Sequence, residues 1–207
     1  MNYRNPQDIE AASMRIIDAE AGAHSFSADQ WAIVKRIIHA TADFDVMTSI
    51  RFHPDAIAAG VAAIKKGAPL YADTEMLAVA IRDNMQRQFG CSVICHVADP
   101  DVKNASRTSG TTRSILAVQK AAPRLSCGII AIGNAPTALA EVITLCQKGA
   151  IKPNLVIGMP VGFVGATESK NLLYSSGIVC ITMLGRKGGT PATVAVINAL
   201  MHMAGKA

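Results

Sequence analysis

Gly128-Ile-Ile-Ala-Ile-Gly133 runs directly into Asn134-Ala-Pro-Thr137, a helical pattern to Lys148, and a second apolar run, Leu155-Val-Ile-Gly-Met159. Short, continuously apolar runs suit parallel strands whose two faces are both covered. A strand, a glycine-bearing turn, a helix and another strand form one right-handed crossover unit. The alternation extends in both directions from Pro69 to the C-terminus. Further strands are predicted near Leu70–Asp73, Ser92–Val97 and Ile178–Met183, with helices near Met76–Gln88, Thr112–Ala122, Thr137–Lys148, Ser169–Tyr174 and Ala192–His202. Five strands separated by helices predict an α/β fold, a doubly wound five-stranded parallel sheet.

The first 67 residues read differently. Asn5 is an N-cap candidate with Pro6 at the first helical position, followed by Ile9, Ala12, Ser13, Ile16 and Ile17 at helical spacing up to Gly22. Ser27-Ala-Asp-Gln30 is a capping box, and Trp31, Val34 and Ile38 form the apolar stripe behind it. A third helix is predicted from Pro54 to Lys65-Lys66-Gly67, a cationic last turn with a glycine stop. The expected organisation is one domain over 1–207, with a helical arm (1–67) and a sheet core (68–207).

Composition narrows the function. At 207 residues, half of them hydrophobic and 17% charged, the chain folds rather than staying disordered. No apolar run approaches a membrane span, and Met1-Asn2-Tyr3-Arg4-Asn5-Pro6 lacks the apolar centre of a secretory leader, so a cytoplasmic protein is expected. The net charge is +5, but basic residues come in pairs at most and aromatics, 4% of the chain, do not interleave with them. No nucleic-acid track is therefore expected, whereas an anionic small molecule suits the charge. Cys91, Cys95, Cys127, Cys146 and Cys180 contain no CxxC pair and read as small core residues. Cys95 and His96 would point to opposite faces of a strand, so no metal site is expected there.

Ligands of such sheets bind beyond the carboxyl ends of the strands. Five segments fall there: Asp73-Thr74, Asp99–Gly110, Gly133–Thr137, Met159–Gly165 and Gly185-Arg-Lys-Gly-Gly189. Turning alone explains their glycines, but explains Asn134, Arg186 and Lys187 less well. No Walker A, G-x-G-x-x-G, HExxH or G-x-S-x-G motif is present. His39 is the most suggestive histidine. Arg36 precedes it by three residues and Asp43 follows by four, so the three share a face if the helix extends that far. One reading is a proton donor at a helix end; the plainer one is a solvated histidine.

Ile38-His-Ala-Thr-Ala-Asp-Phe-Asp45, Thr112-Arg-Ser114, Gly133-Asn-Ala-Pro-Thr-Ala-Leu139, Gly158-Met-Pro-Val-Gly-Phe-Val-Gly165, Glu168-Ser-Lys170 and Gly185-Arg-Lys-Gly-Gly189 together resemble the precorrin-8X methylmutase family in order along nearly the whole chain. The resemblance implies a flavodoxin-like fold with strand order 2-1-3-4-5, a homodimer, and migration of a methyl group from C-11 to C-12 of a corrin precursor on the way to vitamin B12. It implies His39 as the family's histidine, with Ser13, Arg36 and Arg113 in contact with substrate. Thr41, Asn134, Thr137, Arg186 and Lys187 join them as expected ligands of a polycarboxylate tetrapyrrole. Val161, Phe163 and Val164 offer the macrocycle an apolar rest. The Thr-Ala-Asp-Phe-Asp run favours the cobalt-bearing branch. An intramolecular shift needs no cofactor, and none is expected. Two other classes stand beside this one: a corrinoid carrier without catalysis, and a flavodoxin-like nucleotide module.

Overall fold

The computed structural model describes residues 5–205; the first four residues, part of the stretch read for a leader, lie outside them. In chain order the elements are α1 (Pro6–Ala21), α2 (Ala28–Thr41), α3 (Val46–Ser49), β1 (Ile50–Phe52), α4 (Ala56–Lys65), β2 (Leu70–Ala72), α5 (Glu75–Phe89) and β3 (Val93–Ile94). They continue with α6 (Pro100–Ser109), α7 (Arg113–Ala121), a 3-10 turn (Ala122–Arg124), β4 (Ile129–Ile132), α8 (Pro136–Gln147), β5 (Leu155–Gly158), α9 (Ala166–Ser175), β6 (Cys180–Met183) and α10 (Thr190–Gly205).

The sheet has six strands in the order β1-β6-β5-β4-β2-β3. β2 to β6 pair in parallel, and β1 pairs antiparallel with β6, with Ile50 opposite Met183 and Phe52 opposite Ile181. The expectation of five strands, all parallel, is thus corrected to a mixed sheet of six. β1 escapes a periodicity reading because it has three residues, of which only Ile50 is buried, wedged between two helices. It closes one edge of the sheet, where Arg51 Nη1 donates to the carbonyls of Thr48 and Ile50 at 2.9 and 2.8 Å. A charged side chain lying on its own edge discourages pairing with another chain.

Alternate residues of the inner strands feed two separate layers, as a period of two requires. Leu70, Ala72, Ile129, Ala131, Leu155 and Ile157 pack with α2, α4, α5 and α10. Tyr71, Ile130, Ile132 and Val156 pack with α7, α8 and α9 on the other side. The first 67 residues share the former core with the sheet: Ile33, Val34, Ile37 and Ile38 are buried beside Val196 and Leu200. The stripe of α2 is therefore centred on Ile33 and Ile37, while Trp31 is only half-buried, its ring 4.1 Å from the tilted ring of His24 and its indole N–H donating to Asp18. The Asn5 cap and the Ser27–Gln30 capping box both form.

Two other readings change. The segment 99–110 is mostly helix, because Pro100 opens it and Gly110 takes the left-handed conformation that stops it. Cys127 is exposed, in contrast to buried Cys91 and Cys180. Among the described residues, no helix is long and apolar enough to cross a membrane.

Candidate functional site

The carboxyl ends of β2, β4, β5 and β6 open onto one rim, and a buried carboxylate knits it. Asp73, which follows β2 directly, accepts Gly133 N–H on Oδ1 at 3.0 Å, and Asn134 and Ala135 N–H on Oδ2 at 2.8 and 2.9 Å. Burial pushes its carboxyl up, and the three amide donors pull it back. The loop from β4 to α8 is thereby fixed with the Asn134 side chain exposed. Beside it, Thr112 caps α7 and its hydroxyl lies 3.4 Å from that of Thr137. The starts of α7 and α8 are thus neighbours, which places exposed Arg113 and Thr137 together.

β5 and β6 lead into two interlocked glycine loops. Gly189 N–H donates to the Met159 carbonyl at 2.8 Å, and Gly162 N–H to the Arg186 carbonyl at 3.1 Å. Gly188 has a φ of +154°, and a side chain there would run into the Met159 carbonyl. On the outside of these loops the Arg186 guanidinium sits 5.3 Å from the Phe163 ring centre. Phe163 and Val164 are 82% and 89% exposed, far beyond what a folded interior leaves to large apolar residues.

His39 reaches the same rim because α2 lies along α10. It occupies the last turn of α2, exposed, and lines a cleft of about 370 Å³ with Arg36, Met76, Thr190, Pro191 and Asn198. Arg36 Nη1 is 3.5 Å from Glu10 Oε1 of α1. Ser13, one turn after Glu10, donates to the Ile9 carbonyl at 2.9 Å, and Thr41 donates to Ile37 at 2.8 Å. Each hydroxyl gives its proton to its own helix and keeps its lone pairs to accept.

The stacked trio Arg36, His39 and Asp43 does not form, because α2 stops at Thr41 and Ala42 turns left-handed (φ 53°). Asp43 instead pairs with Lys187 at 2.7 Å, and the same ammonium lies 2.6 Å from Asp45. The Lys187 hydrogen bond holds the Asp43 carboxyl below its usual range. Lys187, expected among the ligands of substrate, is also paired within the protein.

Two residues of this rim had no role from the sequence. Asp73 carries a weak signal, an acid directly after an apolar strand. Lys170 stands in one of the quoted blocks, yet nothing in a sequence shows that its side chain is wholly buried, with Nζ donating to the Lys187 carbonyl at 2.7 Å. Burial lowers its pKa to about 8.

Residues 8–203 match the family model described as Precorrin-8X methylmutase. The chain is 45% identical over 199 residues to cobalt-precorrin-8 methylmutase of Priestia megaterium, covering 96% of this chain and 88% of that one. It is 42% identical over 208 residues to cobalt-precorrin-8 methylmutase of Leptospira interrogans, covering 97% and 94%. The solved structure of precorrin-8X methyl mutase from Thermus thermophilus superposes with a TM-score of 0.88 at 40% identity, over 96% of each chain.

Proposed function

The chain belongs to the precorrin-8X methylmutase family, isomerases of cobalamin biosynthesis that shift a methyl group within one molecule, and we propose that His39 is the acid that starts this shift. The observation that carries the proposal is the position of His39, at a helix end on the ligand-binding rim and opening into a cleft beside Arg36. A proton given to the conjugated ring draws its electrons toward the protonated atom and loosens the methyl on C-11. Once the methyl has bonded to C-12, the proton returns to the imidazole, so substrate and product have the same atoms.

The substrate fitting this rim is a polycarboxylate tetrapyrrole. Arg36, Arg113 and Arg186 supply counter-charge to its carboxylates, with Ser13, Thr41, Asn134 and Thr137 as polar contacts and Val161, Phe163 and Val164 against the ring. The names of the two curated relatives favour a cobalt-bearing substrate. Incubation with metal-free and cobalt-bearing substrates, followed by product absorbance, tests that choice; equal turnover of both removes it. The five parallel strands alone read as a flavodoxin-like core to which β1 has been added. A cytoplasmic location accords with the pathway.

The charge assignment makes a measurable distinction. A hydrogen bond to a charged group is worth about 1.5–3 kcal/mol, or roughly ten- to more than a hundredfold in affinity. Lysine cannot reproduce the planar fork of arginine. Arg113→Lys is expected to weaken product binding about tenfold, whereas Lys65→Met, in the exposed last turn of α4, leaves it unchanged. Titration of the corrinoid product at two ionic strengths checks this. Equal losses from both variants would mean that diffuse surface charge does the holding.

We also propose a homodimer. Leu172 is exposed on α9 beside Pro136 and Ala140 of α8, an apolar surface that a partner copy would cover. Sedimentation is expected to give twice the chain mass, and Leu172→Asp to shift it toward the monomer. A wild-type monomer at micromolar concentration refutes the assembly.

A further inference from the structure

We propose that Lys187 is a positioning residue, a latch that joins the glycine loop before α10 to the turn that ends the helix of His39. The latch rests on His39 being the acid, because its effect on turnover acts through that side chain. Lys187 is gripped at both ends. Its carbonyl accepts the Nζ of buried Lys170 at 2.7 Å, which ties the loop to α9 beneath the rim. Its own Nζ reaches across to Asp43 at 2.7 Å and Asp45 at 2.6 Å. These carboxylates flank the turn that leaves α2 only three residues after His39. Between the loop and the turn lies a cleft of about 230 Å³, lined by Thr41, Asp43, Val46, Lys187 and Gly188, so a side chain spans a gap that packing leaves open.

The loop end of the latch cannot drift. Gly188 has no room for a side chain against the Met159 carbonyl, and Gly189 N–H is bonded to that carbonyl. The turn end is held by local bonds, Ala42 N–H to the Ile38 carbonyl at 2.7 Å and Asp45 N–H to Asp43 Oδ1 at 3.0 Å, around a left-handed alanine that is costly to keep. Lys187 therefore adds a side-chain tie between the end of α2 and the loop before α10. Its ammonium is already shared between two carboxylates, which leaves little of it for a substrate carboxylate.

The two roles predict opposite signs for one substitution. If Lys187 held substrate, Asp43→Asn, which leaves only Asp45 on its ammonium, would tighten product binding, and Lys187→Met would weaken binding in a salt-dependent way. A latch predicts that Asp43→Asn and Lys187→Met each lower kcat about tenfold, because small misplacements of a reacting group are costly, with product Kd changed less than about twofold. The double variant should be no slower than the slower single one, the mark of two residues acting as a unit. Lys187→Arg, which keeps the ion pair, should recover most of the turnover. Exposed ion pairs contribute little to stability, so unchanged thermal unfolding is expected for all four variants.

Additive losses, an unchanged kcat in either single variant, or a Kd effect larger than the kcat effect overturns the latch. His39→Ala keeps the two assignments apart. Retained turnover in that variant ends the role of His39, while the coupling between Lys187 and Asp43 is still measured in the otherwise wild-type enzyme.

Discussion

His39→Ala is expected to abolish methyl migration while the protein stays folded and still binds corrinoid. The imidazole is exposed at the end of α2 and makes no hydrogen bond among the described residues, so its removal opens no cavity. The helix itself is held by buried Ile33, Val34, Ile37 and Ile38, which the substitution does not touch. General acid catalysis contributes roughly 10²- to 10⁴-fold to a rate, and the ring rearrangement offers the protein few other handles. Turnover should therefore fall by at least about two orders of magnitude, while product affinity, carried by arginines, changes far less. Substrate consumption followed by absorbance, with product titration on the same sample, separates the two quantities. Near-normal turnover would sink the assignment of His39.

The sequence carries the parallel sheet well because its inner strands have no polar face to disguise. Leu70, Ile129–Ile132 and Leu155–Ile157 are buried on both sides, and an apolar run bounded by glycine has few other uses. β1 is illegible for the opposite reason: its three residues acquire strand geometry only from β6, through a pairing that spans most of the chain. The same contrast holds at the rim. Its loops follow from the strand ends, and His39 and Arg36 line a cleft with Thr190 and Asn198 of α10. Charge pairing does not follow, because Lys187 meets Asp43 and Asp45 only after the chain has returned from β6. Asp43 in turn leaves the company of His39 because the helix stops at Thr41, two residues earlier, and the next residue, Ala42, is left-handed, a conformation that a side chain disfavours. Spacing along a presumed helix placed three residues on one face; the true end of the helix separated them.

Asp73→Ala should disturb fold and site together. In the wild type one carboxylate satisfies three consecutive amides, Gly133, Asn134 and Ala135, and is itself almost wholly buried. Hydrogen bonds to a charged acceptor are each worth about 1.5–3 kcal/mol, and a buried donor left without a partner costs about 1–3 kcal/mol. The sum overstates the loss. Desolvation penalises the ionised carboxylate, and that cost vanishes in the variant. The Asn134 side of the loop is also open enough to find water. A net destabilisation of about 2–4 kcal/mol remains, a large share of the roughly 5–15 kcal/mol that holds a typical domain. Asp73→Asn should be milder. Its amide oxygen can take the place of Oδ2, which serves Asn134 and Ala135, leaving only the Gly133 amide opposed by an NH2 group. Product affinity should fall in the same order, since the start of α8, with Asn134 and Thr137, loses its tether to β2. Urea unfolding of the three proteins, paired with product titration, tests the ranking. An alanine variant that unfolds within about 0.5 kcal/mol of wild type, the range of neutral surface changes, would show that the three amides have other adequate partners and that Asp73 does not organise the rim.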